Sequence, residues 1–356
     1  MHRIQTAISD ALQSASVAEA SLFCTPGHKR GQAIPQQMQN LIGLAAYQAD
    51  LPDLPGLGLF EPQSAVMAAQ TLAAETFGAD QTWFLVNGAT VGMLAAILSV
   101  CGPGDKIILP RNVHRSAIGG LILSGALPIF VCPEYDPQTD LVHGTSVHSI
   151  AQALAQHPDV KAIFTVSPTY HGVCGDITAI AQLAHRANVP FIVDEAHGAH
   201  FGLHPSLPNS ALAAGADLVV QSTHKTLGAL TQAALLHRQG NRIDGTKVTA
   251  TLQLLQSSSP SNLLLASLEA ACAQIATQGD CLMAKTLTQA QQARQRIAAL
   301  PNLTVLEKPL LPTPGFADLD TTRLTVTVSG LGLDGFEADE LCTSEFGVIA
   351  ELPTLR

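Results

Sequence analysis

The sequence predicts a doubly wound α/β domain with a mostly parallel sheet, followed by a small, incomplete C-terminal α+β domain. Three observations carry this. Beyond Ala79, short apolar β-rich runs alternate with alanine-rich helical stretches, the rhythm of strands covered on both faces by crossover helices. Only 13% of the residues are charged against 47% hydrophobic, which requires a large core and leaves few wide solvated faces. At 356 residues the chain also exceeds the roughly 250 to 300 at which a single core stops growing.

Taken in order, Ile4, Ala7, Ile8, Ala11 and Leu12 recur at helical spacing, interrupted by Asp10, and so predict an N-terminal helix and not a signal peptide. The expected strands are Trp83 to Val86, Lys106 to Leu109, Leu127 to Cys132, Ala162 to Val166, Phe191 to Val193, Leu218 to Gln221 and Ala233 to Leu236. Too few residues separate the last two for a helical crossover, so one antiparallel neighbour is expected. From Asn302 the pattern changes. Strands are expected near Leu303 to Leu306 and Arg323 to Val328, divided by the proline-rich Leu310 to Gly315, then a helix from Asp334 to Glu345, with Gly347 to Ala350 opening another strand. So few elements must lean on the large domain.

Composition excludes several function classes. Asp and Glu outnumber Lys and Arg by 28 to 18, and no basic stripe with interleaved aromatics occurs, so nucleic acid is not an expected partner. The 7 cysteines are spread singly, which favours reduced thiols and a cytoplasmic location over disulfides or zinc ribbons. Gln81 to Gly104 is a 24-residue stretch without a charge, yet Asn87, Gly88 and Gly92 interrupt it, so a buried strand, loop and helix are expected and no membrane span. Among the 13 histidines, His197, His200 and His204 with Glu195 suggest a metal site, but a His-Glu-x-x-His order is absent and Gly198, Gly202 and Pro205 oppose a regular helix. No metal is expected. Scarce charge predicts a homodimer or higher homo-oligomer.

Ligands of open α/β sheets bind beyond the carboxyl ends of the strands, and three such ends carry polar residues. Asn87-Gly88-Ala89-Thr90 follows a strand and opens a helix, the arrangement of a phosphate cup or of a plain strand-to-helix turn. Asp194 closes the run Phe191 to Val193, where a carboxylate stays ionised only against a cation or strong donor; its alternative is a helix cap. Lys225 lies 31 residues on, in Ser222-Thr223-His224-Lys225, and is alone among the lysines in sitting just past the carboxyl end of a core strand. Desolvation there suits a lysine to imine formation. A phosphate cup, an aspartate for a pyridinium nitrogen and a Schiff-base lysine together match pyridoxal 5′-phosphate.

Thr25-Pro26-Gly27-His28-Lys29-Arg30-Gly31, Leu51-Pro52-Asp53-Leu54-Pro55-Gly56-Leu57, Phe84 to Thr90, Asp194-Glu195-Ala196-His197-Gly198 and Ser222-Thr223-His224-Lys225 together resemble the ornithine/lysine/arginine decarboxylase family. These are pyridoxal-phosphate-dependent enzymes of the aspartate aminotransferase fold, fold type I, and the resemblance spans Leu22 to Ala234. It implies that Lys225 holds the cofactor as an imine, that Asp194 meets the pyridinium nitrogen, and that Ala196 packs under the ring with His114 stacked over it. It further implies that Ala89, Thr90, Ser222 and His224 bind phosphate, that Thr169 reaches the 3′-hydroxyl region, and that His197 lies near a basic amino acid substrate. Residues 1–45 would then form an N-terminal helical segment and active-site loop, 46–300 the cofactor-binding domain, and 301–356 a small truncated domain.

Three departures bear on this. Ala89-Thr90 stands where the family carries two hydroxyls, Asp53 replaces a commoner glutamate, and relatives continue beyond Glu351-Leu352-Pro353. Weak or absent decarboxylation by this chain is therefore the expectation. Other fold type I reactions, and a catalytically silent paralogue acting as a binding or regulatory subunit, remain the alternatives.

Overall fold

The computed structural model describes residues 6–17, 21–51 and 56–355. Ile4 and positions 52–55, Asp53 among them, lie outside the described residues.

Helix α1 (Ala7–Val17) buries Ile8 and Leu12. Its first free N–H groups meet the buried carboxylate of Glu269, 2.9 Å from both Ile8 N and Ser9 N. A carboxylate at a helix N-terminus satisfies orphan donors and complements the helix dipole. Helix α2 (Gln36–Ala49) is kinked at Gly43, whose φ is +78°, and α3 (Ala65–Phe77) starts on the Ser64 cap and stops at Gly78 in the left-handed region. The alternating part then runs β1 (Gln81–Leu85), α4 (Gly88–Leu98), β2 (Lys106–Pro110), α5 (Arg115–Ser124) and β3 (Leu127–Val131). A short hairpin of β4 (Tyr135–Asp136) and β5 (Leu141–Val142) precedes α6 (Val147–Gln156), β6 (Ala162–Val166), β7 (Val173–Cys174), α7 (Ile177–Arg186) and β8 (Phe191–Asp194). Next come β9 (Leu218–Gln221), the single turn α8 (Thr223–Thr226), β10 (Ala234–Arg238), α9 (Gly245–Leu255) and the 37-residue α10 (Asn262–Ala298). Three two-residue strands, β11 (Thr304–Val305), β12 (Asp318–Leu319) and β13 (Val326–Thr327), and α11 (Gly335–Phe346) follow.

The main sheet has seven strands in the order β1-β10-β9-β8-β6-β2-β3. Strand β10 is antiparallel to both neighbours, as its short connection to β9 requires, and the other pairs are parallel. Because β1 and β9 flank the one reversed strand, both point the same way, and the carboxyl ends of β1, β6, β8 and β9 share one edge. Side chains alternate across this sheet as the pleat dictates. Phe164, Ile192, Leu218 and Val220 join the core beneath α4 and α9, while Ile163, Phe191, Val193 and Val219 join the one beneath α6 and α7. A third core gathers α1, α3 and α10 over Phe84 and Leu235.

Two expectations are corrected. Strand β3 is an edge strand with Leu127 51% and Phe130 46% exposed, so its apolar run does not mark burial on both faces. Gly347 to Ala350 opens no strand; Gly347 takes a left-handed φ of +64° and ends α11, with Val348 N bonded to Cys342 O. The C-terminal part does lean on the sheet domain. Strand β12, which alternation did not foresee, pairs with β7, and buried Arg294 on α10 donates to the carbonyls of Arg323 and Leu306. Gln81 to Gly104 folds as β1, a loop and α4 and its turn, and no described helix is long and apolar enough to cross a membrane.

Candidate active site

The carboxyl edge of the sheet opens into a cavity of about 670 Å³. Ala89, Thr90, His114, Thr169, Asp194, Ala196, His197, Ser222, His224 and Lys225, the ten residues singled out in the sequence, all line it. Each arrives from a strand end. Strand β1 delivers the start of α4, β2 the His114 segment, β6 Thr169, β8 Asp194 to His197, and β9 Ser222 to Lys225.

At the start of α4, Gly88 has a φ of +78°, a conformation that favours glycine. Asn87 does not cap the helix with its side chain, because its Oδ1 accepts from Ser257 N at 3.0 Å. The helix thus presents its N-terminus to the cavity without a side-chain cap, an arrangement suited to an anion. Ala89 brings only its backbone N–H, whereas Thr90 adds a hydroxyl. His114 caps α5, its Nδ1 accepting from Ser116 N at 3.2 Å, so the proton of the neutral ring is on Nε2. Thr169 Oγ1 accepts from Val173 N at 3.1 Å, and its own proton stays available.

Asp194 is 5% exposed, and its carboxylate accepts one hydrogen bond among the described residues, from Ala196 N at 3.1 Å. Burial pushes its carboxyl above the usual range, against the opposing pull of that bond and of Lys225 and His114. A carboxylate so placed calls for a cationic partner. Lys225 Nζ is 3.0 Å from His197 Nε2 and 5.8 Å from the centroid of the Tyr170 ring. Burial lowers its pKa, and Arg323 adds to this, while Asp194 and Glu351 oppose it. For His197, burial together with the positive charge of Lys225 and Arg323 lowers the pKa to about 3.

Three groups at the site were not anticipated. Tyr170 adjoins Thr169 and packs against His197, the two rings inclined by 52° with centroids 4.3 Å apart; its position next to a predicted site residue was a usable signal. Leu352 reaches the cavity from the C-terminal segment, and Arg323 Nη2 donates to His197 Nδ1 at 2.9 Å. Neither has a local sequence signal, since only the return of the chain over β7 brings them close. The quoted Thr25 to Gly31 motif is absent from the cavity lining. Its His28 pairs with Asp50 at 3.2 Å and Lys29 Nζ donates to the Cys24 carbonyl, which removes Lys29 as a rival to Lys225. Among the described residues no His, Cys, Asp and Glu cluster could hold a metal. Glu195 is engaged elsewhere, accepting from Ala211 N at 2.7 Å and Gln221 Nε2 at 2.8 Å.

This fold is that of the large domain of fold type I pyridoxal-phosphate enzymes, and a lysine and a buried aspartate stand at the carboxyl edge of its sheet. Residues 6–314 match the model of the Orn/Lys/Arg decarboxylase major domain, and the chain belongs to that family of basic amino acid decarboxylases. It is homologous to pyridoxal-phosphate-dependent carboxy-lyases. It is 38% identical over 356 residues to the arginine decarboxylase of Bacillus subtilis, covering all of this chain and 73% of that protein. With the arginine decarboxylase of Halalkalibacterium halodurans identity is 40% over 334 residues, 94% of this chain and 68% of the relative. The solved lysine decarboxylase A from Pseudomonas aeruginosa superposes with a TM-score of 0.84 at 23% identity, over 98% of this chain and 56% of its own. The chain thus spans about three quarters of one curated relative and about half of the solved one.

Proposed function

We propose that this chain binds pyridoxal 5′-phosphate at the edge of β8 and β9 and decarboxylates a basic amino acid, arginine foremost. The observation that carries the proposal is the placement in one cavity of Lys225, the one lysine among the described residues that lines it, and the buried Asp194, delivered by the ends of the adjacent parallel strands β9 and β8. The donor set fits the cofactor. An uncapped helix start at Gly88 to Thr90, with Ser222 and His224, suits a phosphate, and the raised carboxyl of Asp194 suits a pyridinium. When bound, the protonated ring supplies the electron sink for the pair left behind as carbon dioxide departs.

The remaining work falls to this chain's own residues. Asp194 keeps the proton on the ring nitrogen, since buried opposite charges stabilise each other's ionised forms. Lys225, its pKa lowered by burial, would be the amine that holds the cofactor's aldehyde carbon. Ala196 and His114, the latter fixed by Ser116, would pack against the ring. His197 stays neutral and polar beside the substrate. A net charge of −10 steers cationic amino acids towards the protein. The preference for arginine rests on the two arginine decarboxylases at 38% and 40% identity.

We further propose residues 1–45, 46–300 and 301–356 as the three parts of the chain, and a homodimer as its working form. The dimer is supported by exposed Ile122, Leu123, Leu127 and Phe130 along α5 and edge strand β3. The function is tested by adding pyridoxal 5′-phosphate to the purified chain and then arginine, lysine or ornithine. A visible absorption band and slow amine release, fastest from arginine, are expected. Absence of the band would overturn the proposal, and a band without amine would reduce it to a cofactor-binding subunit.

A further inference from the structure

We propose that Arg323 is a positioning residue that, through the His197 ring, holds Lys225 as a free amine. The inference rests on the reading of Lys225 as the nucleophile and assigns a role to a residue outside the strand-end motifs. A guanidinium has donors and no acceptor. Arg323 Nη2 lies 2.9 Å from His197 Nδ1, so that nitrogen presents its lone pair and the proton of the neutral ring is on Nε2. Nε2 in turn lies 3.0 Å from Lys225 Nζ. An N–H donated across that distance needs a lone pair on Nζ, which an ammonium lacks. A protonated His197 would set a donor against Arg323 on one side and against an ammonium on the other.

Arg323 is held where this requires. The buried carboxylate of Asp320 lies 3.8 Å from its Nε and 3.1 Å from His200 Nε2. Burial acts to raise the Asp320 pKa, and bonds and charge from His200 and Thr322 outweigh it, so this carboxyl stays below its ordinary range. Behind the side chain, Arg294 donates to the Arg323 carbonyl at 2.9 Å. Lys225 also faces Asp194 and Glu351, which favour its protonated form, and His224 and the Tyr170 ring. Burial outweighs the two carboxylates, and the lowered pKa of Lys225 agrees with the relay.

The test needs no cofactor, so a chain that bound no pyridoxal phosphate would still report. First, nitrogen NMR of the unmutated, cofactor-free full chain with labelled histidine reads the His197 tautomer, assigned by the signal lost in His197→Asn. A proton on Nε2 and a bare Nδ1 are expected. This decides even if substitutions disturb folding. Second, reductive methylation of Lys225 with formaldehyde and borohydride, quantified by mass spectrometry, is followed against pH. Arg323→Met should move the midpoint upward by about one pH unit, making labelling about tenfold slower at pH values well below both midpoints. In a His197→Asn background the same substitution should change the rate less than about threefold, because the relay is already cut. A proton on His197 Nδ1 in the unmutated chain, or an Arg323→Met effect of equal size with and without His197, would overturn the proposal.

Discussion

At the scale of single residues, the site opposes a raised acid to a lowered base. Lys225→Ala should abolish the adduct that borohydride fixes between chain and cofactor, and mass spectrometry finding the adduct on another lysine would contradict its role. Asp194→Asn keeps the shape of the side chain but loses the charge that holds a proton on the ring nitrogen. Turnover should therefore fall at least tenfold more than cofactor content, as amine release and absorbance would show. Glu195 bears on stability and not on chemistry. Burial raises its pKa to about 8, from 4.5 in the unfolded chain. Between those values the folded state binds a proton that the unfolded state releases, so its contribution is present at low pH and is lost as pH rises towards 8. Urea melts should show wild type losing stability relative to Glu195→Gln across that window, on the order of 1 kcal/mol per pH unit; parallel curves would refute the assignment.

At the scale of elements, the packing of α4 sets where the proposed phosphate cup sits. A Cβ on Gly92 would lie 2.7 Å from Leu85 Cδ1 and 2.9 Å from Val220 Cγ1, both beneath the helix. Gly92→Ala should therefore lift α4 off β1 and β9, costing about 1 to 3 kcal/mol and weakening cofactor binding with it. Denaturant melts and a cofactor titration on the same variant check both halves; an unchanged affinity would mean the helix start does not hold the phosphate. These strands were legible because each is a short buried run between turn residues. Ala162–Val166 and Leu218–Gln221 have the expected bounds. Ala89, Thr90, Asp194 and Lys225 stood out for a related reason, since strand ends lie in the sequence where the sheet edge lies in space, whereas His114, Thr169, Ala196, His197, Ser222 and His224 came only with the family resemblance; all ten line the cavity. Position in the sheet was not legible: β3 is as apolar as an inner strand and yet lies at the edge. Arg323 was missed for another reason, because it meets His197 across 126 positions of chain. Strand β12 escaped notice because two residues carry no alternation.

At the scale of the molecule, the exposed Ile122, Leu123, Leu127 and Phe130 leave an apolar edge on an otherwise well-covered sheet. Light scattering at micromolar concentration should give twice the 37.2 kDa of one chain, and Ile122→Lys should shift the population towards monomer. A monomer that binds cofactor tightly would contradict the dimer. The link between the sheet domain and the last elements has a separate consequence. Leu310 and Leu311 are fully or largely exposed in the proline-rich connection, whereas β12 on β7 and Arg323 on His197 lie beyond it. A protease would find its easiest cut at this connection. The nick would sever the backbone without separating the pieces, so the two fragments should elute together under native conditions and part only in denaturant, with the smaller one still supplying its arginine to the larger.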